Sequence, residues 1–177
     1  MLAVGRIAGQ LPAHPASNTY FSMAPIRFGK YVSKYRAKPV GDRHDSYLDL
    51  DKRLGVQADA MRLALEETQE VLFEFQVQLR TSERMMPIED ASVEWPESES
   101  PYRTVAHLLL PRQEIKLLRQ QDAYQNLSFS VWHALAAHRP LGGINRVRRL
   151  VYVLSCDWRR QQAGAKLADP PSAGKVC

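Results

Sequence analysis

Two residues near the end of the chain carry the spacing that chemistry would need. Arg148 and Tyr152 lie four apart in a run whose apolar residues, Ile144, Val147, Val151, Leu154 and Trp158, recur at helical intervals after Gly142-Gly143. On a helix both would project from one face, so the guanidinium can lie against the phenol oxygen of the next turn. That arrangement suits a phenolate ligand to ferric iron, as at a heme. A free phenol has a pKa of about 10, so holding it ionised at neutral pH takes a shift of roughly 3 units, on the order of 4 kcal/mol. Ferric iron and a permanently charged arginine can supply that together. Taken alone, Arg-x-x-x-Tyr fits equally a half-buried tyrosine beside a solvated arginine.

Other candidates are plainer. His133 and His138 precede the Tyr152 helix and could serve as axial ligands or hydrogen-bond donors, or simply as loop histidines bonded to backbone. Glu89, Asp90 and Glu94 sit in a Pro-bounded loop without metal-ligand spacing and read as structural. There is no Gly-rich phosphate loop, nucleophile elbow or internal repeat.

The elements that must position Arg148 and Tyr152 read as α+β. Residues 1–19 show no period and form an irregular arm. Ile26 to Arg36 alternates aromatic and basic residues, predicting a strand with an irregularity at Gly29. Residues 38–57 read as a polar loop. Asp59 to Glu70 places Met61, Ala64, Leu65 and Thr68 at helical spacing. Val71 to Arg80 predicts a strand with Phe73, Phe75, Val77 and Leu79 buried and Glu74, Gln76, Gln78 and Arg80 wet. Ser82 to Pro101 is a long loop, Arg103 to Leu110 another strand stopped by Pro111, and Glu114 to Asn126 a short helix. The last helix is expected over 143–160, with residues 161–177 as a disordered tail.

Composition sets wide bounds. With 177 residues, 45% hydrophobic and 24% charged, the chain has the balance of one soluble domain. Twenty-four Lys+Arg against 19 Asp+Glu give a net +5, and five of the arginines, 146, 148, 149, 159 and 160, crowd the late helix. The start of the chain resembles neither a secretory signal nor a membrane anchor, which predicts a cytoplasmic protein with no membrane partner. Cys156 and Cys177 are not expected to form a structural disulfide.

Several separated motifs occur together in one order: Met86-Pro-Ile-Glu-Asp-Ala-Ser-Val-Glu-Trp-Pro96, Ser100-Pro-Tyr-Arg-Thr-Val-Ala106, Phe129-Ser-Val-Trp-His133, Ala137-His-Arg-Pro-Leu-Gly142 and Arg146-Val-Arg-Arg-Leu-Val-Tyr152. With Tyr20-Phe-Ser-Met and Ile26 to Tyr35, they closely resemble the small catalase-related, heme peroxidase-like proteins of the catalase superfamily, over roughly residues 14–160. The resemblance implies a partial antiparallel β-barrel of the catalase type with flanking helices, the C-terminal one carrying the proximal heme ligand. It implies heme as cofactor and hydrogen peroxide or an organic peroxide as substrate. By position it assigns Tyr152 as proximal tyrosinate, Arg148 as the arginine that stabilises it, and Arg159 as partner of a heme propionate. A C-terminal cation on a helix would explain Arg159 as well.

The chain departs from the family in places. Where a typical catalase has a His after the Ser of the Tyr-x-Ser motif and an acidic residue before the proximal Arg, this sequence has Met23 and Gly142. The distal His and Asn of the family lie upstream of the Tyr20 strand, where this chain has 19 residues and one histidine, His14. The expectation is therefore a domain over 20–160 truncated at its N-terminus, inactive alone, completed by a missing N-terminal half or by homo-oligomerisation. The alternative is a non-catalytic basic module that binds nucleic acid or anionic surfaces through the Arg146–Arg160 helix. Nucleic acid is disfavoured because Val147, Val151 and Leu154 interrupt any single basic face.

Overall fold

The computed structural model describes residues 15–41, 61–62, 65–66, 70–113 and 130–163. The expected helix at Glu114–Asn126, most of the 38–57 loop, His14 and most of the C-terminal tail lie outside the described residues. Five strands form one antiparallel sheet: β1 (Tyr20–Phe21), β2 (Ile26–Phe28), β3 (Tyr31–Pro39), β4 (Glu70–Leu79) and β5 (Arg103–Pro111). Their order is β1-β3-β4-β5, with β2 also paired to β3. A 3₁₀ turn at Ala136–His138 and one long helix, α1 (Gly143–Ala163), follow. The architecture is α+β, and among the described residues the sheet is open, ending at β5.

Gly29 makes two strands where the sequence predicts one. Phe28 pairs with Tyr31, leaving Gly29 and Lys30 as a two-residue turn, and Gly29 adopts φ +62°. A two-residue hairpin needs positive φ at a loop position, which glycine supplies without a Cβ penalty. The irregularity is thus a chain reversal rather than a bulge.

The described residues fall into two compact units. The first takes β1, β3 from Tyr35, β4 as far as Val77, and β5. Its core is Ala16, Leu65, Val71 and Phe73, with Ala37, Met61 and Leu110 packed against it. Met61, Arg62, Leu65 and Glu66 are helical, as the spacing predicts, and Leu65 is the residue that reaches the core. Even the end of the irregular arm takes part, since Ala16 is fully buried.

On β4 the predicted wet face is not wet: Gln76 and Gln78 are both buried. The strand lies inside the sheet, and its polar face is covered rather than solvated. Gln76 accepts a 2.6 Å bond from Arg36 Nε and donates to Glu74 and to Thr104. Arg36 lies 3.9 Å above the Tyr102 ring, which packs edge-on to Phe21. Buried amides are tolerated where their donors and acceptors are met, and leaving them unmet costs about 1–3 kcal/mol each.

The second unit contains β2, the start of β3, the 78–101 segment and the helix region. Gln78, 1% exposed, donates to Trp95 O at 3.0 Å and Ser100 O at 2.9 Å, which fastens the long loop at two points. Lys34 fastens it again, donating to Val93 O at 3.1 Å with Nζ 5.0 Å above the Trp95 ring. Burial pulls the Lys34 pKa below its ordinary value, while Glu94 and Asp90 act in the opposite sense. Asp90 Oδ1 is occupied by the Ser92 N–H and hydroxyl, a local turn contact.

The same loop starts α1. Gly142 O accepts the first intrahelical bond from Arg146 N, and the Gly143 N–H, which has no partner in the helix, donates to Glu89 Oε2 at 2.7 Å. Glu89 also pairs with Arg146 at 3.0 and 3.2 Å, so its carboxylate serves both the positive end of the helix and a cation of its first turn. Gly142 has φ +85°, and a Cβ there would meet Ile88 O at 2.7 Å.

Gly142→Ala should therefore destabilise the chain by at least ~1 kcal/mol, since it combines positive φ with a backbone clash, and urea unfolding will measure it. A midpoint equal to wild type would mean that the Ile88–Gly142 approach is loose. Glu89 makes a pH-dependent prediction. The Arg146 hydrogen bond first, and then the Gly143 N–H, hold its carboxyl below the ordinary value of 4.5. A depressed carboxyl pKa contributes stability that is full above the unfolded value and lost as pH falls through the folded one. Wild type should exceed Glu89→Gln in melting temperature at pH 6, and the difference should vanish on acidification below 4.5. A constant difference across that range would rule out the charge.

Candidate functional site

Helix α1 spans Gly143–Ala163, slightly longer than the 143–160 predicted from spacing. Its burial is inverted relative to its hydropathy. Val147, Leu150, Val151, Leu154 and Trp158 are each more than half exposed, Leu150 at 69%. The less accessible stripe is Asn145, Arg148, Tyr152, Cys156 and Arg159, at steps of three and four residues, with Asn145 and Cys156 buried and the others half-buried. The apolar stripe that identified the helix is thus not the side it turns inward.

The N-terminal turn fixes this orientation. Asn145, 2% exposed, donates from Nδ2 to Leu141 O at 2.8 Å and Pro25 O at 3.2 Å. Pro25 O also accepts the Leu141 N–H at 3.0 Å, which uses both lone pairs of one carbonyl. Next to it, β2 bonds the segment before the helix: Arg27 N donates to Arg139 O at 2.8 Å and Gly29 N to Ala137 O at 3.0 Å. Trp132 Nε1 donates to Asn145 O at 2.7 Å, and the Arg149 guanidinium lies 5.3 Å from the Trp132 ring centre.

The three residues singled out from sequence therefore share a helix face. The Tyr152 hydroxyl makes no hydrogen bond to any described residue. Arg148 does not bond Tyr152; its Nη1 points back one turn to Asn145 Oδ1 at 3.4 Å. Arg159 donates from Nε to Ser155 O at 3.4 Å. A half-buried phenol without a partner among the described residues, one turn from a guanidinium, has the donor chemistry that ferric iron of a heme takes up as tyrosinate. The residues present fit that group.

The histidines are placed otherwise. His138 stacks on Phe28, ring centres 5.6 Å apart and planes within 11°, and His133 is exposed. Among the described residues no group of three or more His, Cys, Asp or Glu could hold a metal ion, and no helix is long and apolar enough to cross a membrane. Of the crowded arginines, Arg146 is paired with Glu89, Arg149 lies over Trp132 and Arg148 is half-buried. Sequence reasoning missed Asn145 and underrated Glu89. Asn145 stands three and seven residues before Arg148 and Tyr152, and that spacing was the available signal.

No family model matches this chain, and no curated protein matches it in sequence. Its fold does match: the crystal structure of a fungal catalase superposes with a TM-score of 0.63 over 84% of this chain, at 15% identity. The chain spans 32% of the length of that catalase. The likeness is one of fold, and it makes this chain catalase-like in architecture.

Proposed function

We propose that this chain is the heme-proximal part of a catalase-like protein, binding ferric heme through Tyr152 with Arg148 behind it and Arg159 toward a propionate. The observation that carries the reading is the phenol of Tyr152, half-buried on the inward stripe of α1 without a hydrogen-bond partner among the described residues, in a chain of catalase-like fold. Bound heme would supply the iron at which a peroxide O–O bond breaks.

The protein's own residues do the rest. Tyr152 is the anionic oxygen donor, and its position on the second turn after the pinned start of α1 limits its wandering. Arg148, one turn before Tyr152 on the same stripe, would be the fixed positive charge beside the bound ligand, since a guanidinium keeps its proton near neutrality. Arg159, two turns on, offers a planar fork suited to a carboxylate. Peroxide turnover would also need a positioned base to move a proton, worth typically ~10² to 10⁴-fold. The basic-module reading gains nothing from the placement of Arg146, Arg148 and Arg149, none of which is a free cation on one stripe.

Hemin added to the purified chain should give a high-spin tyrosinate-type absorption spectrum, and Tyr152→Phe should abolish it, because a phenyl ring offers iron no oxygen. Arg148→Ala should weaken it less. Identical spectra for wild type and Tyr152→Phe would transfer the iron to another ligand and refute the assignment.

A further inference from the structure

We infer that Asn145 is a positioning residue for Arg148, a neutral acceptor that aims the guanidinium along the helix without cancelling its charge. This rests on the heme reading above, though part of its test does not.

The geometry forces the amide orientation. Two carbonyl oxygens, Pro25 O and Leu141 O, face one end of the Asn145 side chain at 3.2 and 2.8 Å. A carbonyl can only accept, so that end must be the NH₂, and the other end must be the oxygen. That oxygen meets Arg148 Nη1 at 3.4 Å, the bond Arg148 makes within the described residues. The amide is 2% exposed and both carbonyls face its donor end, so turning it over would set its oxygen against two other oxygens. Asn145 is thus fixed first, by Pro25 and Leu141, and Arg148 takes its direction from Asn145.

The choice of an amide has an electrostatic consequence. A carboxylate at this place would form an ion pair with Arg148 and cancel much of its charge. An amide oxygen holds the guanidinium by a hydrogen bond and leaves the charge uncompensated. Arg146, one turn before Arg149 on another side, is already paired with Glu89 and does not compete for Asn145.

The test is a double-mutant cycle on the full chain titrated with hemin, reading both affinity and the tyrosinate-type band. Asn145→Ser and Arg148→Met should each weaken hemin binding by about tenfold, and the double variant should be no weaker than Arg148→Met alone, since contacting residues couple. Losses that multiply would overturn the positioning role. Asn145→Ser removes two bonds that hold the helix and could fail to fold, so a second measurement leaves the sequence intact. In hemin-free wild type, nitrogen-15 NMR should resolve the Arg148 Nη resonances, as for a guanidinium held against rotation. Averaged Nη signals in a folded protein would sink the inference. If Tyr152→Phe leaves the hemin spectrum unchanged, the heme reading fails by itself, and the NMR measurement still decides whether Asn145 holds Arg148.

Discussion

One carbonyl, that of Pro25, sets the direction of the long helix. It accepts both the Leu141 N–H and the Asn145 side-chain amide, so the last residue before β2 is tied at once to the approach of α1 and to its first turn. Glu89 caps the same turn from the 82–101 loop, and Gly142 lets the chain pass within contact of Ile88. These contacts are local and polar. They specify angle and rotation better than apolar packing would, because a hydrogen bond fails within a few tenths of an ångström while a leucine can slide.

Pinning at one end has a cost that is visible along the rest of the helix. Val147, Leu150, Val151, Leu154 and Trp158 stay more than half exposed, and so does Leu109 on the outermost strand β5. An apolar helix stripe, and a strand edge unpaired among the described residues, are surfaces that proteins usually cover. Concentrated solutions of the chain should be handled with that in mind. The polar interior is the counterpart: Gln76, Gln78 and Lys34 are buried yet bonded, and they tie strands and loop together within their own units.

For the proposed chemistry, the structure brings together charge and ligand with little else. Arg148 and Tyr152 share a stripe, but the guanidinium is directed at Asn145 and the phenol at no described residue. A ligand that must accept a metal ought to have no competing hydrogen bond of its own, since any such bond must be broken first. The two histidines of the 133–138 segment are placed otherwise: His138 is stacked on Phe28, and His133 is exposed.

Much of this was written in the sequence because it depends on short-range pattern. The 143–163 helix, the β4 and β5 strands, the helical spacing around Leu65 and the shared face of Arg148 and Tyr152 all follow from periodicity, which is a property of neighbours along the chain. What the tertiary structure alone decided is which side of each element is covered. Gln76 and Gln78 read as wet yet are buried, because Arg36, Glu74 and Thr104 bond the first and the loop carbonyls of Trp95 and Ser100 bond the second. On α1 the apolar spacing marked a helix, yet its apolar residues are exposed and the Asn145–Arg148–Tyr152 stripe is the less accessible one, with Pro25 O and Leu141 O holding Asn145 there. Alternation reports which residues share a face; only long-range partners decide what that face meets.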